Sequence, residues 1–325
     1  MLKKDILYPL LFNPIYKERI WGGCKLKTYL NKDIPTNIIG ESWEIADLPN
    51  DNNTIANGFL KNKSFKEIIA IYKNEVLGDK VVANFGLTFP LLFKFLDAKD
   101  DLSIQLHPND ELAQKRHNSF GKTEMWYIMQ ADEDAEIIVG FENTCSANEY
   151  LSHLENKTLP CILKRIKVKP GEVYFLETGT IHAIGKGIVI AEIQQTSDIT
   201  YRIYDWDRVD THGNARELHI DLALDAINYN YVDAKCCYTK SENKANTIVK
   251  SKYFTTNYIP LSGEIQINKE TDCFRVYIVT NGSIKITIDT TDYEFKLGDT
   301  LLIPASITTY KINGQAELLE VYIEY

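Results

Sequence analysis

From residue 161 onward the chain alternates short apolar runs with glycine-bearing turns. ILKRIKVKPGEVYFLETGTIHAIGKGIVIAEIQQT is the clearest stretch, and the same texture returns over 251–325, with turns at Asn281 and Gly282 and at Leu297 and Gly298. Runs of this length and spacing predict a β-sandwich or jelly-roll barrel. Upstream the pattern is mixed. LYPLLFNP and ESWEIAD read as extended pieces flanking a turn at Gly22 and Gly23. SFKEIIAIYKNEVLG, residues 64–78, opens with Ser64 and Glu67 in capping-box spacing, and Ile68, Ile69, Ile71 and Tyr72 suit an amphipathic helix ending at Gly78. FPLLFKFLDA (89–98) predicts a buried strand, and NDELAQKRHN (109–118) a short helix capped by its asparagine. EMWYIMQ and AEIIVGF predict strands either side of a turn at 131–134, while SANEYLSHLENK (146–157) and ARELHIDLALDAI (215–227) predict helices. Residues 229–250, rich in Asn, Lys and Ser, read as a linker.

Two β segments align with each other. KPGEVYFLETGTIHAI (169–184) matches KLGDTLLIPASITTYKI (296–312), each opening with a glycine–acidic turn at Gly171-Glu172 and Gly298-Asp299. His182 in the first copy stands where the second has Thr308. Such self-similarity predicts a duplicated unit in which one copy keeps a metal-type residue and the other has lost it.

Composition narrows the field. The chain has 325 residues, 44% hydrophobic and 25% charged, which is enough for two modest domains or for one large all-β domain with additions. A net charge of −9 argues against nucleic acid or an anionic membrane as the main partner. Charges interrupt every apolar run, and the N-terminal stretch lacks the apolar core and cleavage site of a secretory signal. The six cysteines form no C-x-x-C pair, and Cys236 and Cys237 are adjacent. Reduced thiols and a cytoplasmic location are the expectation.

Candidate chemistry begins at SIQLHPND, residues 103–110. Strand side chains alternate faces, so Gln105 and His107 point the same way. Glu124 opens a second strand and His182 enters on a third. An amide oxygen, two imidazoles and a carboxylate make a four-ligand set for zinc or another divalent ion, with no thiolate and with room for substrate. His117, His153, His212 and His219 fall in polar helices or loops and are given no role.

Read together, Q-x-H-P, K-T-E, G-T-x-H-A-I-G and E-x-Q-Q-x-S-D-x-T-Y-R resemble the type I mannose-6-phosphate isomerases, a zinc-dependent branch of the cupin superfamily. The matching residues are Gln105, His107, Pro108, Lys122, Glu124, His182, Glu192, Ser197, Asp198 and Arg202, and YKERIWGG and GESWEIAD look like the short bacterial form. The resemblance implies a mainly β fold of two cupin-type jelly-roll barrels or sandwiches with a few short helices, the second cupin degenerate. It implies a catalytic domain over 1–228, the linker 229–250, and a C-terminal cupin over 251–325 that covers strands of the first. It implies one zinc ion per chain on Gln105, His107, Glu124 and His182.

The implied activity interconverts mannose 6-phosphate and fructose 6-phosphate through an enediol. Glu192 or Asp198 would move the proton, with Arg202 and Lys122 as further catalytic candidates. Arg202, Lys122 and Ser103 would hold the phosphate, and Trp21, Trp43 and Trp126 are candidates to pack on the sugar. Glu177 stands where the cupin turn usually has proline, and Thr123 where longer members carry histidine. The expected partner is a small phosphosugar, for a monomer or homodimer. The competing readings are a non-catalytic sugar-phosphate-binding cupin and an iron cupin oxygenase, the latter usually richer in histidine ligands.

Overall fold

The computed structural model describes residues 7–209 and 212–324. The basic start of the chain, residues 1–6, lies outside the described residues. Its strands form three antiparallel sheets. A seven-stranded sheet runs in the order Lys235–Cys236, Val173–Leu176, Glu124–Ala131, Ile188–Gln195, Leu91–Ala98, Ile15–Gly23, Ile39–Ile45. A five-stranded sheet runs Tyr201–Tyr204, Ile104–Leu106, His182–Ile184, Glu136–Phe141, Leu163–Lys167. The third sheet holds the long C-terminal strands Thr255–Asn268, Arg275–Ile288 and Thr309–Tyr322, and it also takes in Leu10–Asn13 and Thr54–Ile55 from the N-terminal end.

The seven-stranded sheet is the middle layer. Leu96, Trp126, Ile128 and Ile190 pack against Ile137, Val139 and Ile184 of the five-stranded sheet. The opposite side chains of the same strands, Phe93, Phe95, Met125 and Ile193, pack against Phe254, Val276, Leu319 and Val321 of the C-terminal sheet. A strand covered on both faces loses its polar alternation, which is why Leu91–Ala98 reads as an apolar run interrupted by Lys94 and Asp97 and is buried at every residue. The arrangement is a stack of sandwiches. Among the described residues no ladder closes the seven- and five-stranded sheets into one barrel.

The internal repeat is visible in the hydrogen bonds. Gly171 N donates to Ile128 O and Ile128 N to Glu172 O at 2.8 and 2.9 Å; Gly298 N donates to Val279 O and Val279 N to Asp299 O, both at 3.0 Å. Both glycines have φ above +80°, a conformation that disfavours a Cβ. The cross-strand pair Trp126–Glu192 recurs as Tyr277–Glu320. The place of His182 is taken by Tyr310 rather than by the aligned Thr308, which is exposed. His182 stands edge-on to Trp126 at 5.4 Å between ring centroids, and Tyr310 edge-on to Tyr277 at 6.2 Å. Tyr310 lies one residue further from Gly298 than His182 lies from Gly171, so the second copy has one more residue between its turn and this ring.

Two helices differ from expectation. The 64–78 helix keeps its Ser64–Glu67 capping box but stops at Tyr72. Lys73 turns left-handed at φ +46°, and Asn74–Leu77 restarts in a direction that buries Val76 and Leu77. Of the 215–227 segment only Ile220–Leu224 is helical. Upstream of it Ala215 bridges Val209, Arg216 is committed to Asp205, and His219 N donates to Arg202 O, so these residues serve the neighbouring strand. The 229–250 segment includes two short strands, Lys235–Cys236 and Asn246–Lys250.

Candidate active site and metal centre

Between the seven- and five-stranded sheets lies a polar cleft of about 660 Å³. Strand pairing places Gln105 directly opposite His182 and, on its other side, Arg202. His107 follows directly after the end of the Ile104–Leu106 strand and precedes Pro108. Glu124 comes from the facing sheet, paired with Gln194 and Leu176.

Among the described residues one group of metal-type side chains converges: His107, Glu124 and His182, with one ligand atom from each lying within 4.8 Å of the others. His107 Nε2 is 3.4 Å from one Glu124 oxygen and His182 Nε2 is 3.5 Å from the other. The far nitrogens face backbone carbonyls, His107 Nδ1 to Ile199 O and His182 Nδ1 to Thr180 O, both at 2.8 Å. A carbonyl only accepts, so each Nδ1 carries the proton and each Nε2 presents a lone pair. Burial pushes His107 down to about 3, with Lys122 adding to the effect, and burial likewise lowers His182. Glu124 pays for burial too, but Lys122 and the two imidazoles outweigh it and hold the carboxyl well below its ordinary range.

Two lone pairs and an anion therefore face one another in a dry space. Both Nε2 atoms and both Glu124 oxygens lack hydrogen-bond partners. Orphaned buried acceptors are costly, and a divalent cation among them removes that cost. The donor set fits a metal.

Above this point the cleft carries paired charges. The Glu192 carboxylate accepts from Lys94 Nζ at 3.0 Å and from Trp126 Nε1 at 3.1 Å. Lys94 also lies 4.0 Å from Glu41, which accepts from Arg19 Nε at 2.7 Å and Trp43 Nε1 at 2.6 Å. Burial works against the Lys94 ammonium, but Glu192 and Glu41 raise its pKa above the ordinary lysine value. Arg202 Nε donates to Ser103 Oγ at 3.3 Å, and Ser103 in turn donates to the Gln105 amide oxygen at 3.2 Å. Burial lowers the Arg202 pKa, and the nearby Arg216 guanidinium lowers it further. Lys122 lies beside Glu124 at 3.5 Å.

The chain matches the family described as phosphomannose isomerase type I, catalytic domain, over residues 10–150, and the mannose-6-phosphate isomerase cupin domain over residues 244–323. It is 36% identical over 318 residues to mannose-6-phosphate isomerase ManA of Bacillus subtilis, covering 96% of this chain and 98% of that one. The chain belongs to the type I phosphomannose isomerases. A mannose-6-phosphate isomerase of Streptococcus mutans is 35% identical over 313 residues, covering 96% of this chain and 97% of that protein. The crystal structure of the mannose 6-phosphate isomerase from B. subtilis superposes with a TM-score of 0.89 at 35% identity, over 98% of this chain and 100% of that one. A phosphomannose isomerase variant from Salmonella typhimurium, 17% identical, shares the fold at a TM-score of 0.80 over 98% of this chain and all of its own.

Seen as an isomerase, the structure gathers most of the residues picked out in the sequence. Ser103, Gln105, Lys122, Glu192, Asp198 and Arg202 all line the cleft, with His107, Glu124 and His182 buried next to Gln105 and Lys122. Asp198 is exposed, and Arg202 bonds Ser103 and the Glu217 carbonyl. Trp21 and Trp43 line the cleft, whereas Trp126 is buried behind Glu192. The sequence reading missed Lys94, Glu41, Arg19 and Arg216. For Lys94 a signal was present: a lysine inside a mostly apolar buried strand must find a counter-charge. Three of the histidines without a role have ordinary partners: His117 with Tyr201, His153 with Thr158, and His219 with the Arg202 amide.

Proposed function

We propose that the chain interconverts mannose 6-phosphate and fructose 6-phosphate through an enediol, with one zinc ion per chain. Gln105, His107, Glu124 and His182 would hold the ion, which when bound would polarise the sugar oxygens at C1 and C2 as a Lewis acid. The protein's own groups do the rest. Arg202 and Lys122 bind the phosphate, with the Ser103 hydroxyl beside them. Glu192 moves the proton between C1 and C2. It is buried at 4% exposure, and Lys94 and Trp126 fix its carboxylate toward the cleft. Asp198, exposed at the rim, serves ring opening. Residues 1–228 carry this chemistry, and the cupin of 251–325 supports it across the shared core. Among the described residues no helix is long and apolar enough to cross a membrane, and the six cysteines are unpaired. We place the enzyme in the cytoplasm.

The observation that carries this reading is the set of orphaned acceptor atoms on His107, Glu124 and His182 at the foot of a cleft that also holds Glu192 and Arg202. The test is turnover of mannose 6-phosphate, coupled to detection of fructose 6-phosphate, on protein stripped by chelator and then resupplied with zinc or iron in parallel. Activity is expected to vanish and to return with zinc. Zinc bound without turnover retires the isomerase reading in favour of a sugar-phosphate-binding cupin.

A further inference from the structure

The C-terminal sheet reaches the site-bearing layer through a polar contact at Tyr253. This residue sits in a turn fixed by Ser251, whose Oγ accepts from Tyr253 N at 3.2 Å and Phe254 N at 3.1 Å. The Tyr253 hydroxyl donates to Asp110 Oδ2 at 2.6 Å. The other Asp110 oxygen accepts from Gly121 N at 3.0 Å and from Gln195 Nε2 at 2.9 Å. Gln195 then clasps Thr123 from both sides: its Oε1 accepts from Thr123 N at 2.9 Å, and its N donates to Thr123 O at 3.1 Å. Thr123 lies between Lys122 and Glu124.

Residues 121–123 precede the Glu124–Ala131 strand and belong to no ladder, so these bonds do the work that strand pairing does elsewhere. The turn is tight, since a Cβ on Gly121 would fall 2.7 Å from Asp110 N. Asp110 is also the first residue of the Asp110–His117 helix, which starts two residues beyond Pro108 and three beyond His107. One carboxylate thus ties together the chain leaving His107 and the chain entering Glu124. Without the Tyr253 hydroxyl, Asp110 Oδ2 keeps, among the described residues, the exposed Lys252 at 3.6 Å.

We propose that Tyr253 is a positioning residue through which the C-terminal cupin holds the Gly121–Glu124 entry of the active site, acting by way of Asp110 and Gln195. The inference rests on the reading of Lys122 and Glu124 as site residues. Tyr253 itself touches neither substrate nor metal ligand. Groups that orient metal ligands from behind typically contribute about 10- to 100-fold in metal affinity or activity.

The test compares Tyr253→Phe with Tyr238→Phe in the full chain. Tyr238 also anchors through its hydroxyl, but to the carbonyl of Gly171 and not to the 121–124 segment. Hydrogen exchange of a peptide spanning 119–125, in metal-free protein, is expected to be about ten-fold faster in Tyr253→Phe and unchanged in Tyr238→Phe. Zinc release to a chromogenic chelator is expected to quicken by about ten-fold in the first variant only. In the zinc-loaded enzyme kcat is expected to fall, and KM for mannose 6-phosphate to rise with it, because Lys122 lines the cleft from the same segment. If Tyr253→Phe matches the parent in exchange and release, or if Tyr238→Phe shows the same changes, the proposal is overturned. Should the parent not turn over mannose 6-phosphate, the exchange and release measurements still decide the positioning role, and only the substrate assignment falls.

Discussion

Replacing Lys94 by methionine probes the buried charge network most directly. Its ammonium is 3.0 Å from Glu192 and 4.0 Å from Glu41, and its side chain is only 6% exposed. At an effective dielectric constant of about 20, each attraction is on the order of 4 kcal/mol before desolvation is subtracted. The two carboxylates do not suffer equally. Among the described residues, Glu41 keeps Arg19 and Trp43, whereas Glu192 keeps only the Trp126 N–H. The loss therefore concentrates on Glu192, and breaking a buried pair of this kind costs about 3–5 kcal/mol. Urea unfolding of metal-free protein, followed by tryptophan fluorescence and circular dichroism, measures it without metal linkage. Lys94→Met is expected to lose about 3–5 kcal/mol, and Lys94→Met with Glu192→Gln to regain roughly 2 kcal/mol of it, because the second change removes the stranded charge. Isomerase activity is expected to fall by more than about 100-fold in the single variant, since the orientation of Glu192 is lost. A single variant within about 1 kcal/mol of the parent, or a double variant that simply adds two losses, would refute the reasoning.

Other consequences follow from neighbouring groups. Burial opposes ionisation of Glu41, but Lys94 and Arg19 hold its pKa at about 2 instead of the ordinary 4.5. A carboxyl lowered on folding contributes stability that is fully present above its unfolded value and is lost as pH falls through its folded value. Glu41→Gln should cost up to roughly 3 kcal/mol at neutral pH, with the gap to the parent closing between pH 4.5 and 2; a gap independent of pH would disprove this account. Gly179 has φ +84°, its N donates to His107 O at 2.9 Å, and a Cβ there would lie 2.4 Å from Ala226 O. Gly179→Ala should lower both the unfolding midpoint and zinc affinity, and unchanged zinc affinity in a calorimetric titration would show the turn to be irrelevant to the site. Arg202→Lys loses the planar donor fork that meets Ser103 and the Glu217 carbonyl. Its KM for mannose 6-phosphate should rise about ten-fold or more, and a KM equal to the parent's would remove Arg202 from phosphate binding.

Much of the architecture follows from local pattern. Alternation along Ser103, Gln105 and His107 puts all three on one face because strand side chains repeat every two residues. The Ser64–Glu67 and Ser146–Glu149 spacings start helices because each serine and glutamate satisfies the other's backbone amide. The glycine–acidic turns at 171–172 and 298–299 announce the duplication because a positive φ and a carboxylate acceptor recur at the same step. Local pattern also misleads where neighbours intervene. Residues 215–219 have helical periodicity but are drawn into contacts with the Tyr201–Tyr204 strand and Asp205.

What the sequence by itself determined is the set of faces, caps and turns, and a list of candidate ligands for a metal and a phosphate. These depend on residues within a few positions of one another. Tertiary structure alone decided which charges meet. Lys94 and Glu192 are 98 residues apart and become partners only through strand pairing. The same holds for the chain from Tyr253 through Asp110 and Gln195 to Thr123, which joins two sheets. It holds for the candidate metal centre, where two imidazoles and a carboxylate from three strand regions converge with their free atoms facing inward. Electrostatic fit depends on distances of a few ångströms in a dry interior, and those distances are set by long-range packing.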